Sequence, residues 1–197
     1  MTHKEVVQTS YSFDKLTPEA QAKALEVHRE ALRNDTWFFG TIDDTIIPVA
    51  EFLGINIDDI FWQKFYRNEG EGACFIGTYK YRVDATKKIK ELWPNDDYII
   101  KLAQDLQALQ SAHAFNLEAT VKYTGCICHK DFAVIESNPS NNQLDELLRD
   151  FMGWIYTKLN NEFELLSSEE VCEDIFLNND YLFLPDGTLL SEEEYAK

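Results

Sequence analysis

The run with the clearest capacity for chemistry is Cys126-Ile127-Cys128-His129. Thiolate and imidazole are zinc ligands, and a closed structural site takes four, commonly as pairs two to four residues apart. Here the cysteines are separated by a single residue and no second pair of Cys or His follows. The expectation is no structural metal, and no cofactor. Asn68-Glu69-Gly70-Glu71-Gly72 places two carboxylates on a short glycine-containing loop. Calcium loops need more oxygen ligands than this pair supplies. Phosphate cradles open a helix carrying Lys-Ser/Thr, which is absent here. Two readings stay open for this loop: a turn that needs glycine backbone angles, or an acidic tip, Glu69 and Glu71, that meets a partner. A second acidic group, Glu169, Glu170, Glu173 and Asp174, crowds into six residues and is the other candidate partner surface. Lys87, Lys88 and Lys90 form the one dense basic cluster, read as a solvated helix face. The lone His28 reads as an ordinary surface or boundary residue. No Ser-His-Asp, Cys-His or paired-carboxylate arrangement emerges from the spacing, which does not by itself exclude an enzyme, since active sites are assembled from distant positions; the expectation is a non-enzymatic protein.

Charge points the same way. The 197 residues carry 18 Lys and Arg against 35 Asp and Glu, a formal charge of −17. The excess is uneven: residues 141–197 hold 14 acidic and 3 basic residues. Such a surface repels nucleic acid and anionic membranes and attracts basic proteins. The expected partner is therefore a protein with a basic surface, with no direct nucleic-acid binding and no membrane. Hydrophobic content of 45% and aromatic content of 13% argue for a packed core. No apolar run is long enough to span a bilayer, and the first ten residues lack a signal-peptide core. A cytoplasmic location with four reduced cysteines follows as an expectation.

These residues must be held by regular elements. Ile57–Tyr66 and Ala73–Tyr81 flank the acidic loop and read as a β-hairpin, with Phe75, Tyr79 and Tyr81 on one face. Phe115–Thr124 and Cys126–Glu136, turned at Gly125, read as a second. Thr17-Pro18-Glu19 starts a helix running to about Arg33, with Ala20, Ala24, Val27 and Ala31 inward and Leu25 and Leu32 beside them. Trp37–Leu53 is a second helix that Pro48 should kink or interrupt, stopped by Gly54. Asp84 caps Ala85–Leu92, and Asn95-Asp96 caps a helix to about His113. Leu144–Leu166 carries the strongest apolar stripe. Ser167-Ser168 caps another helix to about Leu177, with Val171, Ile175 and Phe176 inward. Asn178–Leu184 is a short strand before a Pro185-Asp186-Gly187 turn. The fold class expected is α+β: one antiparallel sheet of two β-hairpins packed by several helices. It is expected as a single domain over residues 1–197, with residues 1–16 a lead-in and residues 191–197 a frayed acidic tail.

Tyr66-Arg67-Asn68-Glu69-Gly70-Glu71-Gly72-Ala73, followed by Phe75-Ile76-Gly77-Thr78-Tyr79, resembles a Phe-Trp-Ser-Gln-Gly-Asp-Gly-Ala segment with a following Phe-x-Gly-Ser-Tyr. That segment marks a family of small acidic proteins of bacteriophages and mobile elements. The opening Tyr11-Ser12-Phe13-Asp14-Lys15-Leu16, through Lys23-Ala24, resembles the same family's start. The chain departs from the motif at Arg67, Glu69 and Glu71. The resemblance brings no established activity with it; taken together with the charge of −17, it leads to the expectation of an interaction protein that inhibits a host defence or nucleic-acid-binding protein, acting in the host cytoplasm. An antitoxin neutralising a basic toxin, or a small ligand-binding domain or enzyme built on residues 68–72, are the alternatives.

Overall fold

The computed structural model describes residues 9–34, 39–63, 72–123 and 133–190. It is an α+β fold in two compact units, one formed by Met1–Trp37 with Phe163–Lys197, the other by Phe38–Glu162.

In the second unit, β2 (Ile55–Gln63), β3 (Gly72–Lys80), β4 (Glu118–Tyr123) and β5 (Ala133–Asn138) pair antiparallel in the order β2-β3-β4-β5. The two expected hairpins thus share one sheet, joined by β3 and β4. The period-2 pattern sorts the faces. Phe75, Tyr79, Ala119, Val121 and Ala133 are buried on the inner face. Lys80 pairs with Glu118 at 2.8 Å and Lys122 with Glu136 at 2.6 Å on the outer one. Cys74 opposes Phe75 in this alternation yet is fully buried too, so the strand start is covered on both faces. Gly77 lies where Asp58 is squeezed out of register as a bulge between Ile57 and Asp59. Its φ is +152°, and a Cβ there would sit 2.0 Å from the Asn56 carbonyl oxygen, so only glycine fits.

Helices α2 (Phe39–Thr41) and α3 (Ile47–Leu53) flank a π-helical turn at Ile42–Ile46. Pro48, expected to kink or interrupt this helix, does not break the run but sits at its irregular point, just after the π-helical turn. Proline lacks an N–H and crowds the carbonyl four residues back. The widened turn upstream, where Ile47 N–H bonds the Ile42 carbonyl, absorbs both effects. Trp37, the expected start, lies outside the described residues. Gly54 ends α3 in the left-handed conformation, as its type predicts.

Helix α4 (Ala85–Leu92) begins after Asp84, which has φ +64° and makes no side-chain cap. Its carbonyl, not its carboxylate, starts the helix by accepting from Lys88 N–H. In α5 (Asp97–Ala112) the expected cap is real, because Asp96 accepts from Ile99 N–H at 3.1 Å. Ile99, Leu102, Ala103, Leu106, Leu109 and Gln110 are buried. Phe115 is not part of the following strand. It has φ +61° after Ala114 at +54° and is 46% exposed. Gln110, fully buried, intervenes: its side chain donates to the Leu117 carbonyl at 2.8 Å and to Tyr79 Oη at 3.2 Å, and accepts from Leu117 N–H at 3.2 Å. The turn itself is closed by the Gln110 backbone carbonyl, which accepts from Phe115 N–H at 2.7 Å; the side-chain bonds tie Leu117 to it, and the strand begins at Glu118.

Helix α6 (Asn142–Leu166) is capped by Asn141, whose side chain accepts from Leu144 N–H at 3.0 Å. Leu144, Leu148, Phe151, Met152, Ile155 and Leu159 are buried as the stripe predicts. Phe151 meets the ring of Phe75 at 5.8 Å, and Arg149 donates to the Ala133 carbonyl at 2.9 Å. Each large apolar side chain so buried contributes about 1.5–3 kcal/mol.

The first unit contains the second, unexpected sheet. β1 (Tyr11–Ser12) pairs with β6 (Leu182–Phe183), so residues 11–12 are a strand rather than a lead-in. Thr17 caps α1 (Pro18–Asn34), accepting from Ala20 N–H. The inward stripe of α1 is Ala20, Ala24, Leu25 and Leu32, whereas Val27 is 48% exposed and Ala31 is exposed. Helix α7 (Glu169–Asn178) supplies Cys172 and Phe176. The rings of Phe13, Phe176 and Phe183 meet at 5.1–6.0 Å, in the tilted and edge contacts that aromatic quadrupoles favour.

Candidate functional site

The acidic residues on α7 are set out by the packing of that helix. Ser168 accepts from Val171 N–H and starts it. Cys172 and Phe176, four apart, lock one face into the core of the first unit. Cys172, not Val171, is the core residue of this turn; Val171 and Ile175 are half-buried. Glu169, Glu170 and Asp174 are left exposed and Glu173 half-buried. Glu169 with Glu173, and Glu170 with Asp174, are like charges four apart, each pair costing about 0.2–0.5 kcal/mol. Among the described residues, none of these four carboxylates forms an ion pair. Asp14, Glu91, Asp96, Asp105, Glu118, Glu136 and Asp186 by contrast each have a lysine partner.

The rival acidic tip, Glu69 and Glu71, lies outside the described residues, as do Cys126, Cys128 and His129. Among the described residues no group of three or more His, Cys, Asp or Glu could hold a metal ion. Cys74 and Cys172 are buried free thiols. The lysine cluster carries its own counter-charge, with Glu91 at 3.9 Å from Lys87 and 3.6 Å from Lys88. His28 has its Nε2 buried with no hydrogen-bond partner, and its ring stands edge-on to Phe176 at 5.1 Å. Burial, with the charge of Arg29 adding to it, holds its pKa below the ordinary imidazole value. No helix among the described residues is long and apolar enough to cross a membrane.

A constellation that sequence spacing did not reveal forms where the first turn of α5 meets the middle of α6. Asp96, beyond capping α5, accepts from Trp154 Nε1–H at 2.9 Å and from Lys158 Nζ at 2.8 Å. Burial works against ionisation of Asp96. The bonds from Lys158, Trp154 and Ile99 N–H together outweigh it and hold the carboxyl below its usual range. Lys158 also sits 5.3 Å from the Trp154 ring centroid. Asp96 was legible only as a helix cap, because its other two partners lie about sixty residues away.

No curated protein and no solved structure matches the chain. Residues 37–169 match the model of a family described as a domain of unknown function, DUF8835. That span takes in every strand of the four-stranded sheet together with the helices α4, α5 and α6, and the chain belongs to this family.

Proposed function

We propose that the protein is a non-enzymatic interaction protein that presents an acidic surface to a basic partner. The observation that carries the reading is the α7 face: carboxylates that repel one another and have no cation partner among the described residues gain most from meeting one outside the chain. In a protein of −17 such a face speeds encounter with positive grooves and fixes their register more than it adds raw affinity. A partner whose groove normally holds nucleic acid fits this chemistry, and the resemblance to mobile-element proteins adds an inhibitor of host defence as the biological setting. The host cytoplasm is the matching location.

Capture from host lysate at low salt, followed by direct kinetics with the purified partner, tests it. Nucleic acid should compete with the protein for that partner. Association should slow as salt rises, because exposed charges are screened over about 8–10 Å at physiological ionic strength. E170K/D174K should cut the association rate at least about tenfold at low salt and flatten its salt dependence. E69K/E71K is the comparison. If the helix variant binds like the parent while the loop variant does not bind, the α7 assignment is wrong and the loop is the contact. A captured toxin whose growth inhibition this protein relieves would instead favour the antitoxin reading.

A further inference from the structure

We infer that the cleft between the first turn of α5 and the middle of α6 binds a small aromatic carboxylate. Asp96, Tyr98, Gly153, Trp154, Thr157 and Lys158 line a space of about 260 Å³. That is somewhat below the volume of sites for drug-sized ligands, and it suits one or two fused rings.

Gly153 is the first argument. It lies inside a 25-residue helix, where glycine costs roughly 0.5–1 kcal/mol relative to alanine. A Cβ at Gly153 would meet nothing within 4 Å. No neighbour among the described residues needs this position empty, and its backbone is ordinary helix, so what the glycine preserves is the open cleft. The second argument is the walls. Tyr98 is 51% exposed, and its ring is steadied by a hydrogen bond from Oη to the Asp150 carbonyl at 3.2 Å. It offers a half-free aromatic face beside the floor at Gly153.

The third argument is Lys158. Its stem is packed, with the side chain 32% exposed, and its ammonium is fixed by Asp96. An ammonium has three donors and Asp96 takes one. Asp96 is itself satisfied by three donors, while Lys158, which lines the space, has donors beyond the one that Asp96 takes. An acceptor on the ligand completes them, and a carboxylate does so most strongly. Two carboxylates are close: Asp96 is neutralised by Lys158, and Asp150, whose charge reaches Tyr98, weakens the attraction for an anion; charges beyond a Debye length of about 8 Å are largely screened at physiological salt.

Indole-3-acetate and its neutral isostere indole-3-acetamide are the probes, titrated into the full-length ¹⁵N-labelled chain while the Trp154 Nε1–H resonance is followed. The acid should produce a saturable shift, and the amide should bind at least about tenfold more weakly. G153L fills the cleft from an open position and should abolish saturable binding without lowering the melting temperature; T157L is a second occluding variant. K158Q should reduce the acid to the affinity of the amide. The inference is overturned if the acid gives no saturable shift at millimolar concentration, if binding survives both occluding variants, or if acid and amide bind alike. A shift of the Trp154 Nε1–H resonance with a captured protein and none with the acid would also overturn it, making the cleft a macromolecular contact.

Discussion

Replacing Gln110 by leucine keeps the size and shape of the side chain and removes its polar end. Gln110 and Leu117 are both fully buried. The substitution strips the Leu117 N–H and carbonyl of their side-chain partner, and Tyr79 Oη of its donor. Each buried group left unsatisfied costs about 1–3 kcal/mol. A leucine in the same space returns about 1 kcal/mol through apolar burial. The net loss is about 3 kcal/mol, or a fall in Tm of roughly 6–12 °C for a chain of this size. The loss should be focused at Leu117, because the Gln110 backbone carbonyl still accepts from Phe115 N–H at 2.7 Å and keeps the turn at Ala114 and Phe115 closed. Without its side-chain partner, the Leu117 amide should exchange with solvent far faster than its β4 neighbours. Y79F, which removes a single 3.2 Å bond, should cost less than about 1 kcal/mol. A Q110L protein that unfolds within about 1 kcal/mol of the parent, with Leu117 still protected, would refute the reasoning.

Two glycines give opposite expectations under the same change. G77A forces a Cβ against the backbone of Asn56 and should lower stability by about 2 kcal/mol or more. G153A meets open space and should be neutral or stabilising by up to about 1 kcal/mol; denaturant midpoints compare them. His28 predicts a pH effect. Its folded-state pKa is depressed by burial and by Arg29, so the unfolded chain binds protons more readily. Stability is then full above the ordinary histidine pKa of about 6.5 and falls as pH drops below it toward the folded value. The unfolding midpoint of the first unit should decline from about pH 7.5 to about 5.5, and H28Q should remove most of that decline; identical slopes in the two proteins would exclude His28 as its source.

How far the sequence could be read depended on whether a signal was local. The caps of α1, α5 and α7 were legible because Thr17, Asp96 and Ser168 each act within three residues. The α6 stripe and the alternation of β3 and β4 were legible because burial repeats at the period of the element. Phe115 misled because its apolar, alternating neighbourhood mimics a strand. The turn that excludes it is closed by the Phe115 N–H bond to the backbone carbonyl of Gln110, five residues upstream. Val27 and Ala31 misled for a related reason. Alanines fit either face of a helix, and the choice fell to Leu25 and Leu32 packing on the other side. The strand at Tyr11–Ser12 pairs with residues about 170 positions away and carries no local mark. Of the candidate partner residues, the α7 acids were visible as a cluster, but their lack of counter-ions among the described residues was not. The cleft was invisible, because Asp96, Trp154 and Lys158 are ordinary in type and meet only through tertiary structure.

The family match separates the two functional readings. The matched span, 37–169, includes every residue of the cleft and stops at the first residue of α7. It carries 21 acidic residues against 12 basic ones over most of the chain's length. Residues 170–197 carry 8 acidic residues against 1 basic one, a far steeper imbalance, and they lie outside it. Charge density of this kind acts at a distance and tolerates many sequences, since carboxylates on any exposed face serve. A cleft of fixed shape tolerates few, since it needs a missing side chain at one position and a tethered ammonium at another. If both proposals hold, the cleft is a property of the family's shared body, and the acidic face is one that this chain carries on its flanking segment. E170K/D174K should then leave indole-3-acetate binding unchanged, and G153L should leave association with the basic partner unchanged. Cross-effects in either direction would mean that one ligand engages both surfaces.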